Sequence, residues 1–338
     1  MEMIKIGIAG AAGYTGGELL RLLVNHPSVK ILSILSSSHA GKLISSVHCD
    51  LLAESSLRFS DSLSEDIDVL FLCMGHGESK KFLADNTLGS NVKIIDLSND
   101  FRLSHQAQFQ QRQFIYGLPE LNKELIINGA NVANPGCFAT AILLGLLPLA
   151  KELKLNDVYT TGITGSTGAG QMPGATSHFS WRANNIQPYK ALTHQHLSEI
   201  YQSLHQLQDS FPVLHRSIDS GQMLRNINFV PWRGDFTRGI FISSQLKCTL
   251  SLVELYELYE DFYKSDPFTI LTTEPLFLKQ VINTNNCLIQ FDKEGDNLVI
   301  HSIIDNLLKG ASGQAVQNMN LMFGFQETMG LKLKANYF

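Results

Sequence analysis

The chain has 338 residues, 44% of them hydrophobic and 17% charged, with a net charge of −5. That length predicts two domains with real cores, and a mildly acidic balance without any Lys or Arg run excludes nucleic acid and an anionic membrane surface as partners. The five cysteines are scattered without a C-x-x-C pair, so neither a disulfide framework nor a metal site is expected. No signal segment and no apolar run of about 18 residues is present, so the expected setting is cytoplasmic.

Lys5-Ile6-Gly7-Ile8-Ala9 predicts a buried strand, followed by Gly10-Ala11-Ala12-Gly13-Tyr14-Thr15-Gly16-Gly17 and an amphipathic helix over 18–25. Strand, glycine turn and helix form the context of a dinucleotide fingerprint, spaced here G-x-x-G-x-x-G. Gly10 permits the tight turn, Gly13 lets backbone approach a pyrophosphate, and Gly16 allows close helix–strand packing, with phosphate at the helix N-terminus. The next strand, Val29–Leu35, ends in Ser36-Ser37-Ser38-His39-Ala40-Gly41-Lys42, where an NAD enzyme would carry a carboxylate for the ribose. Hydroxyls and a cation suit a 2′-phosphate, so NADP(H) is expected. Strands over 68–74 and 92–97 end in Gly75-His76-Gly77-Glu78-Ser79 and Ser98-Asn99-Asp100-Phe101-Arg102-Leu103. Their alternation with helices predicts a doubly wound parallel sheet, with ligands beyond the carboxyl ends of its strands.

An apolar, strand-like run with Ile126, Ile127, Ala130, Val132 and Ala133 leads into Asn134-Pro135-Gly136-Cys137-Phe138-Ala139-Thr140, and a helix is expected over 141–153. The Pro-Gly pair marks a turn that sets Cys137 at the first turn of a helix. Backbone N–H groups there stabilise a thiolate and can cradle an oxyanion. A period-two strand over 157–164 enters Gly165-Ser166-Thr167-Gly168-Ala169-Gly170-Gln171, whose small residues, with free N–H groups and hydroxyls expected, suit a phosphate or carboxylate. Past Tyr189, His194 and His196 stand at the entrance of an amphipathic helix marked by Leu197, Ile200, Tyr201, Leu204 and Leu207. A strand over 226–235 is expected to break at Pro231, and another begins at 237. A helix over 251–263, strands over 287–291 and 298–304, and a long helix from 305 through 323 follow. The expected division is a first domain over 1–145, completed by a helix over 305–330, and an inserted α+β domain over 146–304.

Taken in order along residues 4–324, the Gly10–Gly16 turn, the Asn134–Thr140 segment, the 165–170 loop, His194-Gln195-His196-Leu197-Ser198-Glu199-Ile200 and Asp305-Asn306-Leu307-Leu308-Lys309-Gly310-Ala311 resemble the N-acetyl-γ-glutamyl-phosphate reductases of arginine biosynthesis, relatives of the aspartate-semialdehyde dehydrogenases. The resemblance implies a Rossmann-type NADP-binding domain with an inserted α+β catalytic and dimerisation domain. It implies that Cys137 attacks an acyl phosphate to form a thioester, which NADPH reduces to a semialdehyde, with His194 as acid/base partner. It assigns NADP(H) to Gly10, Ala12, Gly13, Tyr14, Thr15, Gly16, Ser36, Ser38, Gly168 and Asn306. It assigns the acyl phosphate to Arg102, Asn134, Ser166, Tyr189, His196 and Arg238, with phosphate leaving toward the 165–170 loop and Arg102 or Arg238. A homo-oligomer, dimer or tetramer, joined through the central sheet is also implied. Aspartyl, N-succinyl-glutamyl and carrier-bound aminoadipyl phosphates stay open as substrates, as does a cofactor-independent Cys/His hydrolase or acyltransferase.

Overall fold

The computed structural model describes residues 3–54, 56–209, 211 and 227–338. The chain divides into two compact units, one of Met1–Pro135 with Ala311–Leu333, the other of Gly136–Gly310 with Lys334–Phe338. The crossings therefore fall just before Cys137 and just after Gly310, where 145 and 305 were expected. The reason is that the helix opening at Cys137 packs along its length on strands of the second unit.

The first unit carries β1 (Ile4–Ala9), β2 (Val29–Leu35), β3 (Val69–Leu72), β4 (Lys93–Asp96), β5 (Gln108–Phe109), β6 (Arg112–Tyr116) and β7 (Asn131–Ala133) in the order β2-β1-β3-β4-β7-β6-β5. All pairs are parallel except β5 with β6. Every residue of β3 is buried, as a strand covered on both faces requires. The winding reverses between β1 and β3, and such a switch point opens a ligand crevice at the carboxyl ends of the strands. The helices of this unit are α1 (Tyr14–Leu23), α2 (Glu78–Asp85), α3 (Pro119–Ile127) and the C-terminal α8 (Gly313–Met322). Ile126 and Ile127, expected in a strand, instead close α3. That helix opens on Pro119, whose fixed φ suits the first helical position, and it buries Ile126 while exposing Ile127. The long helix expected from 305 is shorter: a π-helical turn, Leu308–Ser312, precedes α8.

The second unit carries β8 (Val158–Thr164), β9 (Gln187–Pro188), β10 (Ile227–Arg233), β11 (Ile240–Lys247), β12 (Thr269–Leu271), β13 (Cys287–Glu294) and β14 (Asn297–Ile304). Their order is β12-β13-β14-β11-β8-β10-β9, mixed in direction, with β8–β10 and β12–β13 parallel. The strand expected to break at Pro231 runs through it; Asn226, its expected first residue, lies outside the described residues. The Pro231 carbonyl accepts Tyr189 N–H on the side where only two-residue β9 pairs, so the missing proline donor falls at a nearly open edge.

Helices α4 (Cys137–Lys151), α5 (Phe179–Arg182), α6 (His196–His205) and α7 (Leu252–Tyr263) complete the unit, and α4 packs against β11, β14, α6 and α7. Residues 138–150 of α4 are all buried, as in a core helix. Pro148 lies inside α4 and removes the N–H that would serve the Leu144 carbonyl. Tyr263 Oη donates to that carbonyl at 2.5 Å, Tyr259 Oη to Gly145 O at 2.6 Å and Ser302 Oγ to Ala141 O at 2.7 Å. Among the described residues no helix is long and apolar enough to cross a membrane, and no metal-binding cluster of His, Cys, Asp or Glu occurs.

Candidate active site

Cys137 is half-buried as the first residue of α4. Gly136 caps the helix in extended conformation (φ −71°, ψ 146°) with no side-chain cap and no acid in the first turn, so the first-turn N–H groups keep the positive end of the helix dipole beside Cys137. Gly136 N–H donates to Glu199 Oε2 at 2.9 Å, and the His196 ring lies where a Cβ on Gly136 would be. On another side Gly310 approaches so closely that a Cβ there would stand 2.7 Å from Cys137 Cβ. The nucleophile candidate is thus held between two positions that tolerate no side chain.

His194 Nδ1 accepts the His196 backbone N–H at 3.2 Å, which leaves the proton of the neutral ring on Nε2. Its ring is edge-on to Phe138 at 5.5 Å, Phe229 at 5.6 Å, Tyr189 at 5.8 Å and His196 at 4.6 Å. Burial in this cage lowers its pKa to about 3, reinforced by charge on His196 and Lys190 and at Arg233. Burial and the nearby Cys137 thiolate push the Tyr189 phenol up to about 12. Backbone bonds from Tyr189 N to Pro231 O (3.0 Å) and from Leu192 N to Phe229 O (2.9 Å) fasten this segment to β10. Lys190 (φ 46°) and Leu192 (φ 59°) sit in the left-handed region, a local strain that the staples sustain. Two residues of this neighbourhood escaped the sequence: Glu199, which grips Gly136, and Arg233, stacked on the Tyr189 ring at 4.8 Å.

The 165–170 loop differs from expectation. Its N–H groups are not free: Gly165 donates to Gly239 O, Ser166 to Phe236 O, Thr167 to Thr237 O, Gly168 to Gly165 O and Gly170 to Thr167 O. A loop that lies against the backbone of 236–239 thus spends these five donors on backbone carbonyls, while the Ser166 hydroxyl is a further polar group there. Asn306 clamps this arrangement, accepting Gly239 N–H at 2.7 Å and donating to Thr167 Oγ1 at 3.1 Å. A Cβ on Gly168 would meet only ordinary contacts. Arg238 is ion-paired with buried Asp305 at 3.0 Å.

In the first unit, Gly10 has φ +77°, and a Cβ there would stand 2.6 Å from Cys73 O beyond the end of β3. Gly16 brings α1 onto Ala11, which a Cβ would strike at 2.6 Å. Around Gly13, by contrast, a Cβ would meet only Gly10 O at 3.9 Å. No protein neighbour forbids a side chain there, and α1 has neither a side-chain cap nor an acid in its first turn. A phosphate group fits that open N-terminus, followed by Tyr14 and Thr15. Ser36 and Ser38 hydroxyls share His39 Nδ1 at 3.2 and 2.9 Å, and Arg58, absent from the sequence-based candidates, reaches the same loop at Gly41 O (2.8 Å). Arg102 is buried, donating to Asn134 O at 2.8 Å and Leu97 O at 3.0 Å. Asn134 bonds Ala311 O and Asn318. Beside them, burial raises the Asp96 carboxyl to about 6 against the hydrogen bonds of Ser79 and Ser98.

Two family models match the sequence: semialdehyde dehydrogenase, NAD binding domain, over 5–128, and semialdehyde dehydrogenase, dimerisation domain, over 137–306. An N-acetyl-γ-glutamyl-phosphate reductase of Phocaeicola vulgatus is 54% identical, covering 99% of this chain and 100% of the relative. The chain belongs to the N-acetyl-γ-glutamyl-phosphate reductase family. Members of that reductase family from Bacteroides thetaiotaomicron and Flavobacterium johnsoniae are 55% and 52% identical over the same share of each chain. Among solved structures, aspartate semialdehyde dehydrogenase II of Vibrio cholerae, complexed with ASA, matches with a TM-score of 0.72 at 17% identity, covering 96% of this chain and 99% of that one. The Candida albicans aspartate semialdehyde dehydrogenase with NADP matches with a TM-score of 0.64 at 13% identity, covering 95% and 99%. At such identities the reductase family shares a fold with these enzymes, and the likeness carries nothing finer.

Proposed function

We propose that the chain reduces N-acetyl-γ-glutamyl phosphate with NADPH to N-acetylglutamate 5-semialdehyde and phosphate, through a thioester on Cys137. One observation carries this reading: a cysteine at the uncapped start of α4, with His194 packed on the adjoining Phe138, in a chain 54% identical end to end to reductases of that name. The thiolate attacks the acyl carbon, a C–S bond forms, and the C–O bond to phosphate breaks. First-turn N–H groups of α4 favour both the thiolate and the oxyanion of the tetrahedral stage. Reduction of the thioester and cleavage of its C–S bond return the thiolate, and His194, packed on Phe138, is the acid/base partner assigned to this step. His196 and Glu199 orient the Gly136–Cys137 backbone, while Tyr189, Asn134 and Ser166 offer polar groups to the substrate, and Arg102 and Arg238 positive charge.

NADPH, which supplies the hydride when bound, would lie with its pyrophosphate on Gly10, Ala12, Gly13, Tyr14, Thr15 and Gly16 and its 2′-phosphate at Ser36, Ser38 and Arg58. Gly168 and Asn306 complete the cofactor assignment. The same proposal includes a cytoplasmic homo-oligomer, dimer or tetramer, joined through the second sheet, whose Tyr159 is 59% exposed on the face opposite α4. Cys137→Ser tests the core of it. This variant should lose acyl-phosphate-dependent NADPH oxidation and still bind NADPH by fluorescence titration; substantial remaining turnover would refute the thioester route.

A further inference from the structure

Arg233 ends β10 with its guanidinium over the Tyr189 ring at 4.8 Å, beside the His194 cage. Its Nε is buried and has no hydrogen-bond partner. Among the described residues no carboxylate pairs with it. The acids of the neighbourhood are engaged elsewhere: Glu199 on Gly136 N–H, Asp235 on Asn184 N–H at 2.6 Å and Asp305 on Arg238. Of the other cations, Arg182 gives its Nη2 to the carbonyls of Asn185, Arg233 and Gly234 while its Nε, like that of Arg233, is buried without a partner, and Lys190 donates to Gln195 Oε1 at 2.7 Å. A guanidinium stays charged at every physiological pH, and a partly buried one lacking a counter-ion is costly. Arg233 stacks on Tyr189 and is also hydrogen-bonded to its side chain, yet the buried Nε–H stays unpaired and offers the Nε edge of the guanidinium fork to a planar carboxylate.

We infer that Arg233 recognises a carboxylate of the substrate and so sets which acyl phosphate the site accepts. The inference rests on the proposed reductase activity, whose substrate carries an α-carboxylate that must be paired on leaving water. A carboxylate on the acyl cap is the other source of the same chemistry. Phosphate competes for such a fork, but the α-carboxylate is a permanent, planar part of the substrate and phosphate must depart.

The test uses the whole protein in the aldehyde-oxidising direction, with NADP and inorganic phosphate. Its substrates are N-acetylglutamate semialdehyde, 4-acetamidobutanal (the same aldehyde without the α-carboxylate) and N-succinylglutamate semialdehyde. Wild type should prefer the first over the second in kcat/KM, and Arg233→Met should erase that ratio by on the order of 10- to 100-fold, the range for a hydrogen-bonded charge. Arg233→Lys should keep part of it, and the KM for phosphate should not move. Loss of a preference for the succinyl over the acetyl compound assigns the fork to the acyl cap instead and equally supports carboxylate recognition. An unchanged ratio with all substrates, or a raised phosphate KM in its place, overturns the inference. Calorimetric titration with N-acetylglutamine separates the two readings. If wild type turns over none of the aldehydes, the reductase reading fails. Weakened binding of this carboxylate ligand to the Met variant then still supports the role of Arg233, and equal binding refutes it.

Discussion

Replacing Gly310 by alanine presses on Cys137, the proposed nucleophile, without altering any polar group. The new Cβ would stand 2.7 Å from Cys137 Cβ and 3.2 Å from its Cα. Unbonded carbon atoms settle at about 3.5–4.0 Å, so one of the two backbones must give by about an ångström. The Cys137 side cannot retreat freely, because Gly136 is pinned by Glu199 and faced by the His196 ring. A displacement of about 1 Å at a reacting atom costs on the order of 10²-fold in rate. Gly310→Ala should therefore lower kcat for NADPH oxidation by about that factor, leaving NADPH affinity near wild type, because the cofactor residues of the first unit are untouched. Stopped-time assays of turnover, combined with the rate of Cys137 alkylation by iodoacetamide, read the effect directly. A folded variant within a few-fold of wild-type kcat and alkylation rate would refute the steric argument.

Tyr263→Phe removes the donor that serves the Leu144 carbonyl, and leaving a buried carbonyl unmet costs about 1–3 kcal/mol. In a Pro148→Ala background the restored backbone N–H can serve that carbonyl, so urea denaturation should show a smaller loss there; equal losses in both backgrounds would contradict the account. His194 carries a pH signature. Its folded pKa of about 3 lies below the ordinary value of 6.5, so between these values the unfolded chain binds more protons. The stability held above that window is lost as pH falls through it, and His194→Asn should flatten this loss. Unfolding midpoints measured at several pH values in the window check it, and parallel curves for both proteins would rule it out.

Much of the first sheet could be read locally. β2 spans Val29–Leu35 as its apolar run predicts, β1 starts one residue before its expected Lys5–Ala9, and β3 lies inside its apolar stretch, because a strand buried on both faces, as β3 is, needs little but hydrophobic residues. Pro231 misled because its effect depends on which edge of β10 is open, which the strand itself does not encode. Ile126 and Ile127 misled because a short apolar run has no period to separate helix from strand. At the site, the Pro-Gly turn before Cys137 was legible, since turn chemistry is local. The state of the 165–170 N–H groups was not, as the acceptors of Gly165, Ser166 and Thr167 lie some 70 residues on at Gly239, Phe236 and Thr237. Arg233 was hidden for the same reason: a charged residue ending a strand is unremarked until Tyr189 is folded over it and no carboxylate arrives.

The helix that presents Cys137 borrows its stability from chain made much later. The hydroxyl donors on its carbonyls are 114, 119 and 161 residues downstream, at Tyr259, Tyr263 and Ser302. During synthesis, then, the interior of α4 waits with a proline in its path until α7 and β14 have emerged, and such distant closures are slow to form. On the proposed role of Cys137, the helix whose dipole would favour its thiolate is complete only when nearly the whole chain is in place.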